Sequence, residues 1–287
     1  MILVIGATGP TGSEAVRHLV LRGASVRALT RDPAKAGAIP ALAGAEIVTG
    51  DSSRPDSLDG VFAGADKVYL VPPTGQGWVE AQSGLVAAAK RAGVRHIVKL
   101  SAIGVGPDQP SMSLSFHWQG EQEIEASGIP YTHIRGNSFF QNTLFEAATI
   151  KAENAFYDCV GGARFAKVDA RDIGEVVATV LTEDGHEGSV YELTGPEALS
   201  YHDLASRLTA ALGREIRYID LSTDERAARL EEAGLPAWMA REFSDIYGRG
   251  FYRDGGGAYT TDTIERLLDR SPRRYDDFAR DYADAFR

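Results

Sequence analysis

Met1-Ile2-Leu3-Val4-Ile5-Gly6-Ala7-Thr8-Gly9-Pro10-Thr11-Gly12 opens the chain, and its reading decides the fold. Ile2-Leu3-Val4-Ile5 is a short unbroken apolar run, the pattern of a strand buried on both faces of a parallel sheet. A helical pattern follows it. Ala15, Val16, Leu19 and Val20 share one face, Arg17, His18 and Arg22 lie off it, and Gly23 is a stop signal. The glycines therefore fall in the first strand-to-helix turn. Gly6 there permits a tight turn, Gly9 a close approach of backbone to a phosphate, and Gly12 the packing of helix on strand. The helix start adds free N–H groups and a partial positive charge. A dinucleotide pyrophosphate binds at such a turn, and a plain tight turn is the competing reading.

Working outward, strands are expected over 25–30, 46–48, 67–71, 96–100 and 131–134. Helices are expected over 55–62, 78–91 and 113–127, and Asp32-Pro33 looks like an N-cap with proline at the first helical position. Alternation of this kind builds a doubly wound parallel sheet with right-handed crossovers. Beyond residue 136 the pattern becomes irregular. Helices are expected over 171–181, 201–212, 223–232 and 276–286, and short strands over 190–193 and 216–219. Gly161-Gly162 and Gly255-Gly256-Gly257 mark loops. The reading is α/β: a Rossmann-type domain over 1–136 and a smaller C-terminal α/β region over 137–287, partly interleaved with the first.

The 287 residues allow one large domain or two smaller ones. Lys plus Arg is 30 against 40 Asp plus Glu, a net charge of -10, which argues against a nucleic-acid or membrane-surface partner. Cys159 is the single cysteine, so no internal disulfide can form. The start lacks the basic segment of a signal peptide, and no apolar run approaches the roughly 18 residues of a membrane span. A cytoplasmic protein is expected.

Cofactor choice is read at the end of the second strand, Ala28-Leu29-Thr30-Arg31. A site selecting NAD usually carries Asp or Glu there for the ribose 2′-OH. Arg31 stands there instead, and its guanidinium can fork onto a 2′-phosphate. Asp32 could take the NAD role only if the strand ran one residue further. NADPH is therefore expected over NADH. No tyrosine has lysine four residues on, so the usual Tyr-x-x-x-Lys proton donor of short-chain dehydrogenases is missing. A Ser113/His117 spacing stands where that pair would fall. A quinone, with its easier proton balance, asks less of the protein than a ketone. GxSxG, GxxxxGK[ST] and HExxH motifs are absent from the sequence, and no metal site is expected. Phe139-Phe140 and the stretch 247–252 are aromatic-rich and read first as core packing, with a substrate wall as the alternative.

The GxxGxxG spacing with Ala7-Thr8 resembles the extended and atypical short-chain dehydrogenase/reductases. Arg31, Leu100-Ser101-Ala102, Glu121 with Ser127-Gly128, and residues 131–137 (YTHIRGN) narrow the likeness to the NmrA-like family. His117 four residues before Glu121, and Arg135-Gly136-Asn137 with Gln141-Asn142, look most like its type-2 NAD(P)H:quinone oxidoreductases. The resemblance implies a Rossmann domain, a small C-terminal domain and an acceptor cleft between them. It implies that Gly6, Thr8, Gly9, Pro10, Thr11, Gly12 and Arg31 hold the adenine-side phosphates. Val71, Pro72, Pro73, Ser101 and Ala102 would line the cofactor crevice. Asn137, Ser138 and Phe139 would flank the nicotinamide, and Phe116, His117 and Phe140 would face the substrate. His117 is the candidate catalytic residue, with simple packing between Phe116 and Trp118 as the alternative. The implied activity is NADPH-dependent hydride transfer to a quinone or similar small electron-poor acceptor. The family also contains NADP(H)-sensing regulators, but the lysine they often show at position 117 is absent here. Reduction of a ketone, imine or azo compound is a third option.

Overall fold

The structure, a computed structural model, describes residues 1–58, 60–72, 75 and 77–287. The chain begins β1 (Ile2–Ile5), α1 (Pro10–Leu21), β2 (Val26–Thr30), α2 (Pro33–Gly37), β3 (Glu46–Thr49) and β4 (Lys67–Leu70). It continues α3 (Trp78–Arg91), β5 (His96–Ala102), α4 (Met112–Ser127), β6 (Tyr131–Gly136), α5 (Ala147–Glu153), β7 (Ala155–Asp158) and β8 (Arg164–Phe165). Next come α6 (Ala170–Thr182), β9 (Ser189–Leu193), β10 (Leu199–Ser200), α7 (Tyr201–Leu212), β11 (Arg217–Asp220) and α8 (Thr223–Glu232). The chain ends α9 (Ala237–Gly248), α10 (Thr263–Leu268), α11 (Tyr275–Asp281) and α12 (Ala283–Phe286).

Among the described residues, a seven-stranded parallel sheet runs β3-β2-β1-β4-β5-β6-β9. β1 is buried at every residue, and its side chains alternate between two cores. Ile2 and Val4 join Val16 and Leu19 of α1 and Val176 and Val177 of α6. Leu3 and Ile5 join Leu85 and Val86 of α3 and Ile124 of α4. The strand order reverses between β1 and β4, and a doubly wound sheet opens its crevice at such a point.

The sheet is not finished at residue 136. α6 returns to pack on α1, so closely that a Cβ on Gly174 would stand 2.4 Å from that of Glu14. β9 then pairs parallel with β6. The remainder gathers around a third, aromatic core that includes Phe140, Phe156, Phe165, Tyr201, Tyr218, Tyr275 and Phe278. Small pairs, β11 with β7 and β10 with β8, support it.

Several expected elements differ. The helix expected over 55–62 is a 3-10 turn at Pro55–Leu58, and residue 59 lies outside the described residues. The helix expected over 276–286 breaks at Tyr282 into α11 and α12. α5, α9, α10 and β7 have no counterpart in the sequence reading. Among the described residues, no helix is long and apolar enough to cross a membrane.

Candidate active site

The glycine turn is a backbone cradle. Gly6 has φ +78°, and a Cβ there would stand 2.7 Å from Val71 Cβ. A Cβ on Gly12 would lie 2.1 Å from the Gly6 carbonyl oxygen, so only glycine lets α1 start this close to β1. Gly9 is the N-cap and supplies no side-chain bond, and Pro10 follows at the first helical position. The first-turn N–H groups thus lack a side-chain cap, and such a terminus suits an anion. The cradle fits a dinucleotide pyrophosphate through backbone. Thr11 is different in kind: its side chain is buried and Oγ1 accepts the Tyr69 hydroxyl at 3.1 Å. Thr8 is half-buried and Pro10 exposed.

Arg31 follows the last residue of β2 and is exposed. Asp32 is committed to α2, where its Oδ1 accepts the N–H groups of Ala34 and Lys35 at 3.0 and 3.1 Å. That cap leaves Arg31, not Asp32, as the group at the strand tip.

A cavity of about 310 Å³ opens at the C-terminal ends of β4, β5 and β6. Val71, Pro72, Ser101, Ala102, His117, Asn137, Ser138 and Phe139 line it, as do Trp78, Leu100, Gly136, Asn142 and Tyr252. Val71 also touches Gly6, so cradle and cavity share a wall. Pro73 lies outside the described residues. Two expected substrate contacts fall elsewhere. Phe140 is 2% exposed and sits edge-on to Tyr275, 5.2 Å between centroids, in the aromatic core. It opens a 3-10 turn, Phe140–Glu146, directly after the bridge between Phe139 and Val168. Phe116 is half-buried, packs edge-on to Trp78 at 5.5 Å and does not line the cavity.

Behind the cavity, β5 and α4 hold a set of charges. Lys99 is fully buried, donates to the Leu100 carbonyl at 3.0 Å and stands 3.1 Å from His117 Nδ1. Burial lowers Lys99 to about 7, although the Glu121 carboxylate favours its charge. Burial, and then the Lys99 charge, hold His117 well below the ordinary imidazole value. Arg135 grips Glu121 with two bonds, Nε at 3.0 Å and an η nitrogen at 2.6 Å. Burial opposes ionisation of Glu121, but these bonds prevail and its pKa is lowered. Trp78 meets the His117 ring edge-on at 5.2 Å.

On the opposite wall, Lys167 Nζ donates to Ser138 Oγ at 2.7 Å, and Tyr247 shares that oxygen at 2.9 Å. Burial lowers Lys167 to about 8 and raises Tyr247 to about 12. Tyr252 stacks on Tyr247 at 4.8 Å and also lines the cavity, so this aromatic stretch is both core and wall. Asn137 Nδ2 is spent on the Gly257 carbonyl at 3.0 Å. Lys99, Lys167 and Trp78 escaped the sequence reading. Lys99 could have been found, because a lysine in the apolar strand run His96-Ile97-Val98-Lys99-Leu100 must be buried with a purpose.

The NmrA-like family model matches residues 1–248. A curated NAD(P)H azoreductase of Xenophilus azovorans is 35% identical over 288 aligned residues, covering 100% of this chain and 99% of that protein. Quinone oxidoreductase 2 of Escherichia coli is 31% identical over 85% of this chain and 86% of its own length. A solved structure of an E. coli NADPH-dependent quinone oxidoreductase, QOR2, in complex with NADPH superposes with a TM-score of 0.85 at 28% identity. It covers 97% of this chain and 98% of that one. The parallel sheet, the glycine cradle at its switch point and these likenesses agree: the chain belongs to the NmrA-like family.

Proposed function

We propose that this chain is an NAD(P)H-dependent oxidoreductase that reduces a quinone or similar small electron-poor acceptor by hydride transfer, with NADPH as the preferred reductant. One observation carries the reading. The cavity continues the glycine cradle across Val71 and is walled by Val71, Pro72, Trp78, Leu100, Phe139 and Tyr252, with Ser101, His117, Asn137, Ser138 and Asn142 as its polar lining. A largely apolar cavity beside a dinucleotide crevice suits a small aromatic acceptor. A reduced nicotinamide, when bound, supplies the hydride. The chain's residues hold and orient the two partners. Gly6 and Gly12 shape a turn that leaves the uncapped first-turn N–H groups of α1 open to the pyrophosphate, Gly9 (its own N–H bonded to the Gly6 carbonyl at 3.0 Å) lets it approach, and Arg31 reads the 2′-phosphate. Residues after 136 contribute the acceptor wall through Ser138, Phe139, Asn142 and Tyr252. His117 hydrogen-bonds the acceptor from the β5 side. The azoreductase and quinone oxidoreductase relatives support the reaction class, and a cytoplasmic setting belongs to the same reading.

The test is steady NADPH oxidation by purified protein against a panel of quinones and azo dyes, with NADH in parallel. Turnover of at least one quinone, faster with NADPH, is expected. Tight NADPH binding with no turnover across the panel would replace the enzyme reading by an NADP(H)-sensing one.

A further inference from the structure

We propose that Lys99 is a positioning residue for the reduction, fixing His117 as a neutral Nε2–H donor that faces the acceptor and passing a proton to its Nδ1 as Nε2 protonates the acceptor. The inference rests on the functional reading above and adds to it a residue and a proton route.

The geometry is specific. An ammonium has donors and no acceptor, so the 3.1 Å contact from Lys99 Nζ makes His117 Nδ1 the acceptor. The ring proton is then on Nε2, and His117 belongs to the cavity lining. Lys99 is held in place by its bond to the Leu100 carbonyl at 3.0 Å. Glu121 and His117 face it from α4, and His133 and Arg135 face it from the neighbouring strand β6, where Lys99 pairs with His133. Glu121 is already taken by two bonds from Arg135, so among the described residues Lys99 has no carboxylate within salt-bridge distance. A buried ammonium without such a partner is expensive, and a purely structural role would be better served by an apolar side chain.

The proton balance closes. Hydride brings the acceptor two electrons and one hydrogen, leaving an oxyanion one proton short. The Nε2–H bond breaks as the acceptor O–H bond forms. One Lys99 N–H bond breaks as an Nδ1–H bond forms, so the imidazole stays neutral and changes tautomer. Lys99 is left as a buried amine; a water-derived proton then enters at Nε2 from the cavity as the Nδ1 proton passes back to Lys99 Nζ, which restores the ammonium and the Nε2–H form together. Burial lowers Lys99 to about 7, so its charged and neutral forms lie close in energy near neutral pH. Proton supply is complete below that value and falls as pH rises through it.

Nitrogen-15 NMR of labelled histidine reads the ring state directly in wild type, Lys99→Met and Lys99→Gln, each as full-length protein with NADPH bound. Wild-type His117 is expected as the Nε2–H tautomer. Lys99→Met, which cannot donate, should lose that preference. Lys99→Gln, whose amide can donate or accept but not titrate, should retain part of it. In steady-state reduction of a quinone, wild-type kcat should fall above about pH 7. Both variants should lack that limb, with kcat near pH 6.5 lower by about 10-fold and KM for NADPH unchanged. An Nδ1–H tautomer in the wild type, which needs no variant to fold, would overturn the proposal. So would a wild-type pH limb that survives in Lys99→Met. Absence of turnover with any acceptor would overturn the functional reading and the relay with it, whereas the ring spectrum tests the positioning role by itself.

Discussion

His117 and Glu121 stand one turn apart on α4 and meet the same strand, β5, through Lys99. Two variants separate function from stability at this scale. His117→Ala removes the donor but not the cofactor cradle. Its kcat for a quinone should fall by less than about 100-fold, because water can complete the proton balance, while NADPH affinity measured by calorimetry stays unchanged. Wild-type kinetics in that variant would take His117 out of the site. Lys99→Met should stabilise the protein near pH 7 by about 1–3 kcal/mol, since an apolar chain replaces a buried charge lacking a carboxylate partner. The sign follows from linkage. Lys99 has a folded value of about 7 against an ordinary 10.5, so the unfolded chain binds the proton more tightly between the two. The cost of burying the charge is full below pH 7 and fades as pH rises towards 10.5. Urea unfolding at pH 6.5 and pH 9.5 should show the advantage of Lys99→Met shrinking at the higher pH. Destabilisation at pH 6.5 would instead mark Lys99 as part of the scaffold.

Among the elements, β1, its turn and α1 were the most legible. Four consecutive apolar residues, a glycine spacing and an amphipathic helix all pointed to one arrangement, and the turn residues then occupy conformations or contacts that few others can. The same residues give contrasting expectations. Gly12→Ala drives a methyl into the Gly6 carbonyl and should cost about 1–3 kcal/mol or more in denaturant unfolding, with loss of NADPH binding. Gly9→Ala meets the nearest backbone atom at 3.3 Å with φ -84°, an ordinary helix-start value, so stability should change less while NADPH affinity falls. Equal stability losses would mean the turn is not shaped by the Gly6–Gly12 contact. Arg31→Ala should weaken NADPH about 10- to 100-fold and leave NADH almost untouched. α9 and the aromatic strip beyond it were illegible for a physical reason. Tyr247 and Tyr252 alternate between core and cavity within a few residues, so no single period marks the wall they build. Phe140 misled for another reason: it opens the 3-10 turn Phe140–Glu146 and is buried in the aromatic core, while its neighbour Phe139 lines the cavity.

In the molecule as a whole, the chain crosses from sheet to C-terminal region and back, with β9 in the main sheet and α6 packed on its face beside α1. Asp172 of α6 fastens the later segment. It is fully buried and takes Arg270 at 2.7 Å, the backbone N–H of Arg273 at 2.8 Å and the Arg273 guanidinium. Asp172→Asn leaves two partly exposed arginines beside a weaker acceptor. A loss of about 2 kcal/mol in one cooperative urea transition is expected. A two-step transition would show the C-terminal region unfolding alone. Tyr252 and Asn142 line the cavity together with Leu100 and His117, so the cavity draws on both halves of the chain. The central claim is that the cavity brings an acceptor to a bound reduced nicotinamide. A single-turnover stopped-flow experiment tests it most directly: protein preloaded with one equivalent of NADPH is mixed with excess quinone and followed at 340 nm. The account predicts loss of the full nicotinamide absorbance in one phase that saturates with quinone concentration. Decay no faster than that of NADPH and quinone without protein would contradict it.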